Sequence, residues 1–220
     1  MSAEQHDREA ARHAQVAEAH AEQGEAQALA ARSTCAPPLA TEAAGVCWSS
    51  VANPTAEHRQ AAEVHRTEAA RHRAASAALR DAETRACVGI AEHDRDMSPF
   101  EHLEDIVAVE PLEEAVSGGP KGSVHMRTAG AVVTFRAVPG LTAEWLQRLV
   151  DCHLARNAAR GHVVPEMPNC PLVPKGAAAT VRSTGDGFAV SISSSDDATA
   201  REIRARAERL GGARGPDPAK

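Results

Sequence analysis

Histidine recurs at fixed intervals in two stretches of the chain. His6, His13 and His20 stand seven residues apart, and so do His58, His65 and His72. Seven residues are close to two helical turns, so on a helix each set forms a stripe along one face. The two stretches also share a pattern, since HDREAARH from His6 to His13 resembles HRTEAARH from His65 to His72. In each, a glutamate (Glu9, Glu68) follows one histidine by three residues and precedes the next by four. Side chains at those spacings meet on a helix surface.

Imidazole with carboxylate is a ligand set for zinc, copper or nickel. Histidines at i and i+7 lie roughly 10 Å apart along a helix, so one stripe cannot hold one ion through two of its own rings. Chelation needs the neighbouring glutamate or the other helix. The candidate metal ligands are therefore His6, Glu9, His13, His20, His58, His65, Glu68 and His72. The competing reading is plainer. Alanine-rich helices carry Glu, Arg and His on solvated faces, and a heptad of histidine also arises at positions flanking a packing seam.

Two further groups hold secondary candidates. Cys152, His162, Met167 and Cys170 are soft ligand types that suit copper or zinc. Against this, neighbours on a helix such as Cys152 and His153 point about 100° apart. A buried thiol, or a disulfide from Cys152 to Cys170, is the alternative expectation. An acidic stretch repeats His-x-x-Asp at His93 and Asp96, then at His102 and Asp105. It could take a hard or borderline divalent ion, or be a solvated loop whose Asp and Ser residues cap turns.

The elements that must position these residues follow from composition and periodicity. Residues 3–32 and about 55–88 are built from Ala, Glu, Gln and Arg and read as two helices. Asn53, Pro54 and Thr55 supply a helix start, and Gly89 a stop. The connector 33–54, broken by prolines, makes residues 1–90 an antiparallel hairpin with an alanine seam. Residues 91–122 read as an acidic loop and linker, with a short strand or helical turn from Asp105 to Val109, ending in the turn-forming run from Ser117 to Gly122. Strands are expected at 123–127, 130–138, 178–182 and 188–193, the last two joined by a hairpin turn at Thr184 to Gly187. A helix after Gly140 places Leu141, Trp145, Leu149 and Cys152 on one face. A second, from about Asp196 to Leu210, places Ile203, Ala207 and Leu210 together. Residues 123–211 thus form a small two-layer domain of order ββαββα, an antiparallel sheet with both helices on one face. Residues 212–220 read as a disordered tail. The chain is α+β.

Composition excludes several classes. A net charge of −6 with interspersed signs and few aromatics argues against nucleic-acid binding. No apolar run reaches the roughly 18 residues needed for a membrane span. Nucleophile-elbow, phosphate-loop, His-Glu-x-x-His and dinucleotide motifs are all missing, so no enzyme activity and no organic cofactor are expected. None of the five cysteines forms a CxxC pair; local pairing of Cys35 with Cys47 and Cys152 with Cys170 leaves Cys87 over. Such loops suit the bacterial periplasm or envelope, given a leader removed ahead of residue 1; without one the cytoplasm is expected. The expectation is a non-catalytic copper- or zinc-binding or buffering protein of the envelope. The alternative is a structural protein using the hairpin for self-association or partner docking, with protonation of the histidines as its gate.

Overall fold

The computed structural model describes residues 1–33, 55–117 and 124–212. The connector with Cys35 and Cys47, the run from Gly118 to Ser123 and the tail 213–220 lie outside the described residues. The chain divides into two compact units, Glu4–Ala77 and a larger one of Met1–Ala3 with Ala78–Lys220.

The first unit is made from α1 (Ala3–Ser33) and the first two-thirds of α2 (Ala56–Ala86). Exposed pairs such as Arg8–Glu4 and Arg12–Glu9 sit at helical spacing on its surface, where solvent screens them. Its interior is a line of small residues. Ala10, Ala17, Gly24, Thr55, Ala62, Ala69 and Ser76 are buried, seven residues apart within each helix. A methyl group on Gly24 would stand 3.4 Å from the His58 Cβ, so the two backbones approach closely. With so little side chain between them, the next residues outward are brought across the seam to meet each other.

The second unit holds a four-stranded antiparallel sheet in the order β1-β2-β4-β3. Its strands are β1 (Ile106–Ser117), β2 (Val124–Arg136), β3 (Ala178–Ser183) and β4 (Gly187–Ser193). Ala131, Val133 and Phe135 on β2 and Phe188, Val190 and Ile192 on β4 point into one core. Leu146 and Val150 of α4 (Ala143–Ala159) and Ile203, Ala207 and Leu210 of α5 (Asp197–Gly212) enter the same core, so both helices cover one face. The sequence therefore gives its expected α+β architecture, strand, strand, helix, strand, strand, helix. Gln147 closes the β3 edge as a neighbouring strand would: its Oε1 accepts from the Val181 amide at 2.7 Å and its Nε2 donates to the Ala179 carbonyl at 3.3 Å.

Four details depart from the sequence reading. The stretch 91–122 is not only loop and linker, since the short strand or turn expected at Asp105 to Val109 is the start of a full strand, β1 at Ile106–Ser117, preceded by the short α3 (Glu92–Asp96) and a 3₁₀ turn at Leu103–Asp105. Glu110, Pro111, Glu113 and Glu114 hid the rest of this strand, because an edge strand tolerates proline and charge that a central one does not. The two strands expected at 123–127 and 130–138 are one, β2, with a register shift opposite Leu112 and Glu113. Gly130 is required there, since a Cβ would fall 2.0 Å from the Ile192 carbonyl oxygen. The α4 face bearing Trp145, Leu149 and Cys152 packs on Cys87 and Ile90, while a different α4 face meets the sheet. That orientation decides the cysteines. The disulfide joins Cys87 to Cys152, and Cys170 is a buried free thiol.

Beside this bridge His153 is fully buried, with its Nε2–H donating to the Asp94 carbonyl at 3.0 Å and Nδ1 without a hydrogen-bond partner among the described residues. Burial pulls its pKa below the ordinary imidazole value; the Asp94 bond and Asp96 oppose this and Arg156 adds to it. A histidine held neutral in the fold stabilises it at pH above the unfolded-state value, near 6.5, and that stability is lost as pH falls below it. The larger unit is expected to weaken below about pH 6.5, by at most about 1.4 kcal/mol per pH unit from this group. Denaturant titrations at pH 5 and pH 7.5 on the wild type and on His153→Gln check this; an equal acid sensitivity in both chains would show that His153 is not the cause.

Candidate metal site: a seam of paired histidines

Small seam residues set the helix separation, and the histidines flank that seam. Counting up α1 in sevens and down α2 in sevens brings each imidazole opposite another, as an antiparallel pair of helices must. His6 faces His72 with Nδ1 to Nδ1 at 2.9 Å, His13 faces His65 at 2.9 Å, and His20 faces His58 at 3.3 Å. All six rings are half-buried. Neighbouring pairs also touch, His13 stacking on His72 with centroids 5.6 Å apart and His20 on His65 at 5.7 Å. The result is one zigzag column of imidazoles along the hairpin.

The surroundings fix some protons. Arg12 Nη2 lies 3.3 Å from Nε2 of His13, and a guanidinium only donates. Nε2 of His13 is then the acceptor, and its Nδ1–H donates to Nδ1 of His65. At the far end of the column the Gln27 amide stands 3.0 Å from Nε2 of His58. The Gln27 atom there is the amide nitrogen, which donates, so His58 carries its own proton on Nδ1 and directs it at His20. Gln27 and Arg12 were not among the residues singled out from sequence, although Gln27 continues the series 6, 13, 20 by another seven.

Glu9 and Glu68 do not join the rings as ligands. Each carboxylate is engaged by an arginine three residues on, Glu9 by Arg12 at 2.7 Å and Glu68 by Arg71 at 2.5 Å. The hydrogen bond from Arg12 holds the Glu9 carboxyl below the usual carboxylate range, with smaller contributions from the charges of Arg12, His13 and His72.

Comparison of the chain with protein-family models, with curated proteins and with solved structures finds no match. The functional reading rests on the site itself.

The secondary candidates do not converge. Cys152 is spent in the disulfide. His162 donates from Nδ1 to the Val173 carbonyl at 2.9 Å, while Met167 and Cys170 are core residues. Burial pushes the Cys170 thiol up, against a hydrogen bond from Ser98. In the acidic stretch His93 and Asp96 fall on α3, where Asp96 pairs with Arg156. His102 lies on the surface, 3.2 Å from Glu104. Among the described residues no three His, Cys, Asp or Glu side chains form a group that could hold a metal ion. No described helix is long and apolar enough to cross a membrane.

Proposed function

We propose that this chain is a non-catalytic binder of late transition-metal ions, copper or zinc, held between facing imidazoles of the hairpin. The observation that carries the reading is the set of cross-seam Nδ1 pairs at 2.9, 2.9 and 3.3 Å. Imidazole is a ligand common to both metals. Two nitrogens on one tetrahedral ion, with bonds of about 2.0–2.1 Å, lie roughly 3.3 Å apart, so little movement is needed to admit an ion. An alanine seam fixes the rings without large side chains, which makes the spacing a property of the backbones. The buried Cys87–Cys152 bridge favours an oxidising compartment such as the bacterial envelope.

The test is titration of the full chain, purified without a histidine tag, with zinc and with copper near neutral pH. Stoichiometric uptake by the wild type is expected, and none by a chain with all six seam histidines changed to Gln, provided circular dichroism shows equal helix content. No uptake by the wild type, or equal uptake by both chains, would overturn the reading. The hairpin would then be read as an assembly arm for a second copy or a protein partner.

A further inference from the structure

The ligand count narrows the kind of ion. We infer that each cross-seam histidine pair is a separate two-coordinate site for a closed-shell monovalent ion, Cu(I), so that the hairpin carries one ion per pair in a row. This rests on the metal-binding reading above and deepens it by naming the ion.

Three observations lead there. First, among the described residues each pair offers two nitrogens and no third His, Cys, Asp or Glu donor. The nearest carboxylates, Glu9 and Glu68, are held by Arg12 and Arg71, and no larger donor group exists among the described residues. Zinc and Cu(II) seek three or four protein ligands, and their affinity falls when water must supply the rest. A d¹⁰ monovalent ion is satisfied by two nitrogens in line. Second, two rings on one helix lie roughly 10 Å apart, and the neighbouring ring across the seam stacks nearly parallel on the pair, at 17° for His13 on His72 and 10° for His20 on His65, so it offers a ring face rather than a nitrogen to the same ion. Third, the charge is tolerable. A divalent ion between neutral rings would place two positive charges at each step of the column, beside Arg12; a monovalent ion places one.

The Nδ1 lone pairs already aim at each other across a shared proton, as the hydrogen-bond distances require. Binding replaces that bridging proton by the ion. The displaced proton leaves Nδ1 and an equivalent one is taken from solvent at Nε2 of the same ring, so both imidazoles stay neutral and no electron is transferred. For His13 this means giving up the contact with Arg12. For His58 the Gln27 amide, whose nitrogen now donates to Nε2, turns over so that its oxygen accepts the new Nε2 proton. A linear N–metal–N span is about 4 Å with bonds of about 2.0 Å, so each pair must open by roughly 1 Å, a rotation of half-exposed rings rather than a shift of the helices.

The experiment is anaerobic Cu(I) titration of the full chain carrying Cys35→Ser and Cys47→Ser, which removes sulfur ligands at those positions, against a chromophoric Cu(I) chelator. Zinc is titrated in parallel, and X-ray absorption reports the coordination number. Three equivalents of Cu(I) in a two-nitrogen, near-linear shell are expected, falling to two in His13→Gln with His65→Gln. The double variant keeps the outer pairs, so a loss of one equivalent also shows that the hairpin has folded. Tight zinc binding with Cu(I) absent, or Cu(I) in a three- or four-ligand shell, would overturn this inference and leave the metal-binding reading standing. Uptake of neither ion would overturn both.

Discussion

Changing Cys87 and Cys152 together to alanine is expected to lower the stability of the larger unit by about 4 kcal/mol. The bridge spans 65 residues of sequence, and closing a loop of that length removes about 4 kcal/mol of chain entropy from the unfolded state. The loop contains α3, β1, β2 and the first half of α4, so most of the sheet forms inside it. The folded geometry does not depend on the bridge alone. Arg95 donates to the carbonyls of Cys87 and Ile90, Arg148 donates to that of Val88, and Arg156 reaches Glu83 at 3.4 Å. The end of α2 is therefore expected to stay docked in the variant, and the loss to show in the unfolding midpoint rather than in the native spectrum. Guanidinium unfolding of the oxidised wild type, the reduced wild type and the double variant measures it. Cys170→Ala is the control, a buried thiol outside the bridge whose removal should cost about 1 kcal/mol from a small cavity and respond to no reductant. A double-variant loss below 1 kcal/mol would mean that the unfolded chain gains no freedom when the bridge is cut.

Periodicity made most of the elements legible in the sequence. The helical stretches of α1 and α2, the alternating Phe188–Ser193 and the Ile203, Ala207, Leu210 face of α5 each repeat their apolar residues at the spacing of the element. What periodicity does not carry is adjacency. Trp145, Leu149 and Cys152 were seen to share a face, but the sequence did not say that Cys87 and Ile90 would cover it. Pairing Cys152 with Cys170, one of the alternatives the sequence allows, follows chain proximity alone, whereas the packing joins Cys152 to Cys87 and leaves Cys170 a buried thiol. Of β1 only the start, Asp105 to Val109, is legible as a short strand or turn, because the rest of this edge strand carries residues that mark loops. The histidine stripes were legible as stripes; that each ring meets one ring, and not a glutamate, depends on the arginines that take Glu9 and Glu68 and on how closely the helices approach.

That approach gives the sharpest separation between histidine content and histidine geometry. Ala69 is 1% exposed in the seam, on the same face of α2 as His65 and His72. Leucine there adds three carbon atoms to a gap that admits one, and overpacking of this kind costs about 1–3 kcal/mol as the backbones move apart. Rings that now meet at 2.9 Å across the seam, His13 with His65 and His6 with His72, are the ones this displacement separates. Ala69→Leu is expected to lose at least tenfold in metal affinity at these pairs while keeping every histidine and its helix content. The His20–His58 pair, farther along the helices, should bind as before. Ala70→Leu, one residue on and exposed, should bind like the wild type. If Ala69→Leu binds as tightly as Ala70→Leu, metal is held by histidines acting one at a time on the surface, and the seam is packing alone. A loss confined to the Ala69 variant means that the backbone separation set by the small residues is what makes the imidazole pairs a site.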